Sequence, residues 1–200
     1  MKTILSWKEK PFISVLLVAV NVLIFLLCTF TGEMLYNVGE LSPADIFDAG
    51  QFYRVVSAMF LHADIYHLVN NMLLLAGLGF MLEDEIGHIS FLFLYFLSGL
   101  GGQAVSLIHK VYAGEWYVSS IGASGAVFGL VGVLLAVVLC FSGRMRNITW
   151  QRVLFVVFYS LYSGIRASNI DNAAHIGGFL TGLLLGLLVC FIRKIRERRH

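Results

Sequence analysis

Two short stretches of this 200-residue chain carry side chains that could do chemistry together: Gly122-Ala123-Ser124-Gly125, and Ala174-His175 some fifty positions later. A serine hydroxyl becomes a nucleophile only when a base takes its proton, and histidine titrates where such a base must work. A serine in the first turn of a helix also sits beside unpaired backbone N-H groups and over the positive end of the helix dipole. Both suit an oxyanion. Gly122 and Gly125 leave room for a substrate carbonyl and permit a tight turn into the helix. Taken singly, the serine pattern is also what close packing through small residues produces, and His175 alone could be an interhelical hydrogen-bonding group.

A second histidine, His67, and Asn71 are spaced i, i+4 and so share one helical face. Aimed at the serine, they offer two side-chain donors to a developing negative charge. Their alternative use is hydrogen bonding between helices. His62 and Asn70 are expected at the loop side or the interface. Asp171, one turn before His175, is either a helix-start residue or an orienter of the imidazole, so a Ser-His dyad is the expectation. Gly178, Gly182 and Gly186 follow His175 at four-residue spacing, a bare stripe that lets a neighbouring helix come close.

The elements that must position these groups are membrane helices. The chain is 58% hydrophobic and 13% charged, with a mean hydropathy of +0.83, outside the range of a soluble domain. Six apolar runs can be read: Phe12 to Phe30, Ile65 to Leu82, Ile89 to Ile108, Ala126 to Phe141, Val153 to Ser163 and Ala174 to Ile192. Most reach the roughly 17 to 20 residues that a crossing needs, and the fifth is the weakest. The first is too long for the apolar core of a leader peptide and lacks a small-x-small cleavage site, so it reads as a retained helix. Counted from the inner-face markers Arg144, Arg193 and Glu83 at about 1.5 Å per residue, Ser124 lies about 30 Å up, His175 about 27 Å, His67 about 24 Å and Asn71 about 18 Å. The four groups share the outer half of the bilayer.

With both termini inside, 11 lysines and arginines fall on inner segments and 3 (Arg54, Lys110, Arg166) on outer ones. That asymmetry fits cytoplasmic tails at about 1–11 and 193–200 and an even number of spans. The net charge of +2 then reflects anchoring at the membrane face, and no nucleic-acid partner is implied. The expectation is one all-α domain over residues 1–200, a polytopic bundle of six transmembrane helices with a membrane-embedded first outer loop. That loop, Thr31 to Asp64, mixes aromatic and acidic residues as interfacial segments do. The second outer loop, His109 to Ser120, carries Tyr112, Trp116 and Tyr117, suited to the headgroup level. Cys28, Cys140 and Cys190 lie in or at the ends of apolar runs without metal-ligand spacing, so neither a metal nor a disulfide is expected.

In this order, His67-x-x-x-Asn71, Gly122-x-Ser124-Gly125 and Ala174-His175-x-x-Gly178 resemble the signature motifs of the rhomboid family of intramembrane serine proteases. The likeness covers nearly the whole chain. Glu83-x-x-x-Gly87 is similar to a further family feature that ties helix ends together. By this resemblance Ser124 is the nucleophile, His175 the base, and His67, Asn71 and the Ser124 N-H the oxyanion hole, with no cofactor. The family's embedded loop has a Trp-Arg pair where this chain has Tyr53-Arg54. One turn after the serine the family often has a tyrosine under the histidine, and Phe128 keeps the stacking without the hydroxyl.

The resemblance implies acyl transfer to Ser124 and hydrolysis by water, acting within the lipid bilayer on transmembrane protein substrates. A gate at the fifth helix and a bacterial inner membrane are part of the same expectation. Two other classes stand beside it. A non-proteolytic, client-binding relative usually lacks the serine or the histidine. A transporter using His67, Asn71 and His175 as an ion path is expected to show repeated halves and broken helices.

Overall fold

The computed structural model describes residues 11–141, 149–151, 153–158 and 170–197, and these form a bundle of helices. Helix α1 (Phe12–Thr31) begins after Pro11 and stops at Gly32, which takes a positive φ. Three short helices fill the connection that follows: α2 (Met34–Gly39), α3 (Pro43–Phe47) and α4 (Arg54–Ser57), the last running into a 3-10 turn at Ala58–Phe60. Ser42 and Asp45 cap α3 reciprocally, so two otherwise unpaired donors at its start are satisfied. Helix α5 (Ile65–Ile86) is capped by Asp64, whose carboxylate accepts the His67 N-H at 2.8 Å. Gly87 alone joins it to α6 (His88–Ala113). Helix α7 (Ser124–Cys140) and helix α8 (Asn172–Glu197) complete the described bundle.

Four of these helices, α1, α5, α6 and α8, are long and apolar enough to cross a membrane, and α7 is an apolar helix of 17 residues. With the fourth run realised as α7, five of the six expected apolar runs form long helices, compatible with the six-span expectation. Of the remaining run, residues 153–158 are helical and bury Val153 and Val157; its end, 159–163, lies outside the described residues. The chain is a multi-pass integral membrane protein.

Helix α7 is the axis of the bundle. Every residue from Gly125 to Val138 is buried, which explains why its sequence shows no polar face at all. Helices α6 and α8 pack on it and on each other, while α1 sits at the edge against α5. The end of α5 remote from Ser124 clamps α1. Fully buried Glu83 accepts the N-H of Ile13 at 2.6 Å and of Ser14 at 2.9 Å, and His88 Nδ1 lies 2.5 Å from the same carboxylate. An anion at the start of α1 meets both its unpaired donors and its dipole.

The long first connection is ordered, as expected of an embedded loop. Its centre is Arg54, buried, donating to the carbonyls of Glu40 (2.8 Å) and Asn37 (2.9 Å) and to Gln51, with Asp45 at 3.6 Å. Met34, Phe47 and Phe52 point outward, whereas Ile46 and Met59 face in. The second loop is shorter than the sequence suggests, because α6 continues through Ala113 until Gly114 turns left-handed. Lys110 therefore lies on a helix and is buried rather than exposed in a loop. Trp116 donates to Asp48 at 2.7 Å and packs on Phe47, tying the two loops together.

Candidate active site

Ser124 is the first residue of α7, so the N-H groups around it lack carbonyl partners within the helix. The turn that delivers it depends on Gly122, whose φ of 128° disfavours any side chain. Space demands glycine there as well: a Cβ on Gly122 would sit 2.7 Å from His67 Cε1, 2.8 Å from His67 Nε2 and 3.7 Å from Ser124 Oγ. The His67 ring and the serine hydroxyl thus flank the same glycine. The Gly122 N-H donates to Ala58 O at 2.8 Å, which fastens the serine loop to the embedded first connection.

His175 lies in the first turn of α8, and its ring stacks on Phe128 with centroids 4.2 Å apart and planes 7° from parallel. Phe128 is one turn beyond Ser124 on α7, so the imidazole is set against the first turn of the serine helix. Glycines make this approach possible. A methyl on Gly178 would fall on the Gly125 carbonyl, and one on Gly182 on the Gly129 carbonyl. Gly132 likewise faces the backbone of Phe179 and Leu183. The two helices touch backbone to backbone along this seam. The expectation that the stripe after His175 receives a neighbouring helix is met, and the neighbour is α7.

Asn71 is buried, one turn along α5 from His67, and its Nδ2 has no hydrogen-bond partner among the described residues. A buried donor left unpaired is costly unless something else comes to accept from it. His175 Nδ1 is unpartnered in the same sense. Asp171 does not reach it. The Asp171 carboxylate instead accepts the Ala174 N-H at 2.9 Å and the hydroxyls of Ser106 and Ser120. Burial raises the Asp171 carboxyl, but the two hydroxyls, the Ala174 N-H and the nearby Lys110 outweigh it and hold the group below its ordinary value.

A cavity opens beside Ser124, lined by Gln103, Ser120, Gly122, Gly125, Asp171 and Ala174 among others. Gln103 is buried and its Oε1 is unpartnered among the described residues. Sequence reasoning passed over it. The signal was present: Gln103, Ser106 and Lys110 recur every three or four residues, a polar stripe in an otherwise apolar helix. His62 lies in the loop before α5, as the loop-side reading has it, but is fully buried with its ring edge-on to His67 at 5.1 Å. Burial, with His67 beside it, pushes His62 down to about 4. Asn70 is exposed on α5.

The remaining residues singled out by sequence lie away from the serine. Tyr53 is 56% exposed, donates to Val38 O at 3.0 Å and has the Arg54 guanidinium 5.9 Å from its ring centre. That pair belongs to the embedded loop. Glu83 and Gly87 sit at the α1–α5 clamp and its turn.

A family model described as the Rhomboid domain matches residues 49–191. Among relatives, "Rhomboid-like protease 3" of Toxoplasma gondii is 32% identical over 212 residues, covering 96% of this chain and 76% of that protein. "RHOMBOID-like protein 1" of Arabidopsis thaliana is 34% identical over 158 residues, covering 77% of this chain and 39% of that protein. "Rhomboid protease GluP" of Bacillus subtilis (strain 168) is 32% identical over 178 residues, covering 86% and 34%. The chain thus spans less than half the length of the latter two relatives.

Proposed function

The chain belongs to the rhomboid family, and from that premise we propose that it is an intramembrane serine endopeptidase in which Ser124 is the nucleophile and His175 the general base. The observation that carries this reading is the stacking of His175 on Phe128, one turn from Ser124, across a seam where two helices touch through their backbones. In the reaction, Ser124 Oγ attacks the scissile carbonyl while His175 takes its proton and then passes it to the leaving amine. Water repeats the cycle on the acyl-enzyme, with His175 again as base.

The tetrahedral oxyanion would be met by the Ser124 N-H at the helix start, by His67 and by Asn71. The unpaired Nδ2 of Asn71 supports that assignment, since such a donor is suited to an acceptor that arrives only during catalysis. The absence of a partner on His175 Nδ1 among the described residues supports a dyad over a triad. Depth supports cleavage within the bilayer. Seventeen residues of α7 span about 25 Å, less than the roughly 30 Å of hydrocarbon, so a helix anchored at one face starts below the other.

The substrates are transmembrane protein segments that can leave helical form, since a peptide bond inside a helix is shielded by its own turns. The cationic bias of 11 against 3 supports cytoplasmic termini with the site opening outward, and the likeness of a six-helix core to the minimal prokaryotic form supports a bacterial inner membrane. The test is cleavage of a transmembrane substrate by purified protein in liposomes, comparing wild type with Ser124→Ala and His175→Ala. The reading requires cleavage by wild type and at least about a thousandfold loss in both folded variants. Variants that cut as well as wild type would overturn it.

A further inference from the structure

Four polar side chains at the site end of the bundle are used by neither the dyad nor the oxyanion donors, yet three are almost fully buried: Ser106 1% exposed, Lys110 5% and Ser120 7%. The fourth is Asp171, half-buried at the start of α8. They come from three elements. Ser106 and Lys110 stand one turn apart on α6, and Ser120 lies in the loop entering α7. One carboxylate joins them. Its Oδ2 accepts from Ser120 at 2.5 Å and from Ser106, while Lys110 Nζ lies 3.8 Å from the same oxygen and donates to Ser120 Oγ. Its Oδ1 accepts the Ala174 N-H at 2.9 Å, and the Asp171 carbonyl accepts the His175 N-H at 3.2 Å.

The register of these contacts is their meaning. Ser120 is four residues before Ser124, and Asp171 is four residues before His175. A single carboxylate therefore grips the approach to the nucleophile with one oxygen and the approach to the base with the other. Ser120 is itself held from behind, pairing with Leu41 in both directions at 3.2 and 2.7 Å. Lys110 supplies the charge that pairs this half-buried carboxylate, and removing Asp171 would strand a buried ammonium.

We propose that Asp171 is a positioning residue for the proposed Ser124–His175 pair, fixing how closely base and nucleophile approach and so setting kcat rather than substrate binding. This rests on the protease reading. Glycine packing brings the α7 and α8 backbones together further down the seam, but it does not determine the loop that presents Ser124. Gly122 and its bond to Ala58 fasten that loop on one side, and the Asp171 node ties it to the start of α8. A displacement on the order of an ångström between reacting groups is enough for about a hundredfold in rate.

The experiment measures kcat, KM and thermal midpoint for the full chain in liposomes, together with the rate at which a fluorophosphonate labels Ser124. The variants are Asp171→Ala, Asp171→Asn, Lys110→Met and, as a control far from the site, Leu17→Ala. Asp171→Ala is expected to lose about a hundredfold in kcat and in labelling rate with KM within about threefold, and Asp171→Asn, which keeps an acceptor oxygen, to recover about tenfold of that. Lys110→Met is expected to lie between them. Leu17→Ala should lower the midpoint and leave kcat unchanged. If Asp171→Ala merely lowers the midpoint as Leu17→Ala does, or acts on KM alone, the positioning role is overturned while the protease reading stands. If wild type neither cuts nor labels at Ser124, the reading and this inference fall together.

Discussion

Two helix pairs in this bundle are drawn together by small residues, and they are built differently. Along α7–α8 the close approach is backbone on backbone, with Gly178 over the Gly125 carbonyl and Gly182 over that of Gly129. Along α1–α5 it is backbone on side chain, with Gly79 facing Ser14. Helix α7 is enclosed from Gly125 to Val138, whereas α1 buries only Ser14, Leu17, Asn21 and Cys28, packs Val18, Val22 and Phe25 partly on the core and turns Val15, Leu16, Leu23, Leu26, Leu27 and Phe30 outward. Lipid solvates apolar side chains as well as protein does, so hydrophobicity does not choose the buried face. Small and polar residues choose it. On α1 the protein-facing side gathers Ser14 and Asn21 along with Leu17 and Cys28; on α7 no lipid-facing side is left to choose between Gly125 and Val138.

This contrast can be broken most sharply at Gly182. Alanine there places a methyl on the Gly129 carbonyl, and α7 has no free side toward which to retreat. Gly182→Ala is expected to cost about 3 kcal/mol and at least about tenfold in cleavage, read by thermal midpoint and substrate turnover. Next comes the clamp at the other pair. Glu83→Gln keeps one acceptor but loses the charge facing two N-H groups and a helix start, and should cost about 2 kcal/mol while leaving kcat near that of wild type. A large loss of kcat in a folded Glu83→Gln protein would show that the two pairs are not separable.

How much of this could be read without coordinates follows the same division. Ser124, His175, His67 and Asn71 were legible because ionisable or polar residues in apolar runs are few, and their depths agreed when counted along the helices. The glycine seam was legible from spacing alone. The node formed by Ser106, Lys110, Ser120 and Asp171 was not, because its members come from three elements and only their tertiary meeting distinguishes them from ordinary helix-end residues. Lys110 in particular reads as a loop lysine until α6 is seen to continue to Ala113. The burial of α7 against the exposure of α1 was equally hidden, since both are predominantly apolar strings and the bilayer makes little distinction between them.

Two smaller effects sharpen the comparison. His62, fully buried beside the site end of α5, has its pKa pushed down to about 4, so the unfolded chain takes up a proton below about 6.5 that the folded one refuses. Stability should therefore be flat above pH 7 and fall by about 1 kcal/mol between pH 7 and pH 5.5, a slope that a folded His62→Asn variant should reduce in chemical-denaturation curves. The least costly change should be Gly79→Ala. Its methyl meets the Ser14 side chain, but α1 is peripheral and can shift into lipid, so about 1 kcal/mol and unchanged turnover are expected. A cost equal to that of Gly182→Ala would mean that α1 is held as rigidly as α7.

Gly87 has a bearing on how the chain is made. It is the whole connection between α5 and α6, a single residue at φ 86° separating a helix of 22 residues from one of 26. With a single residue between them, these two helices are expected to insert as one helical hairpin. The helix carrying His67 and Asn71 is then expected to enter the bilayer together with its successor. Lengthening this turn with a few flexible residues would uncouple the two insertions and should appear as a fraction of chains with α6 left outside the membrane.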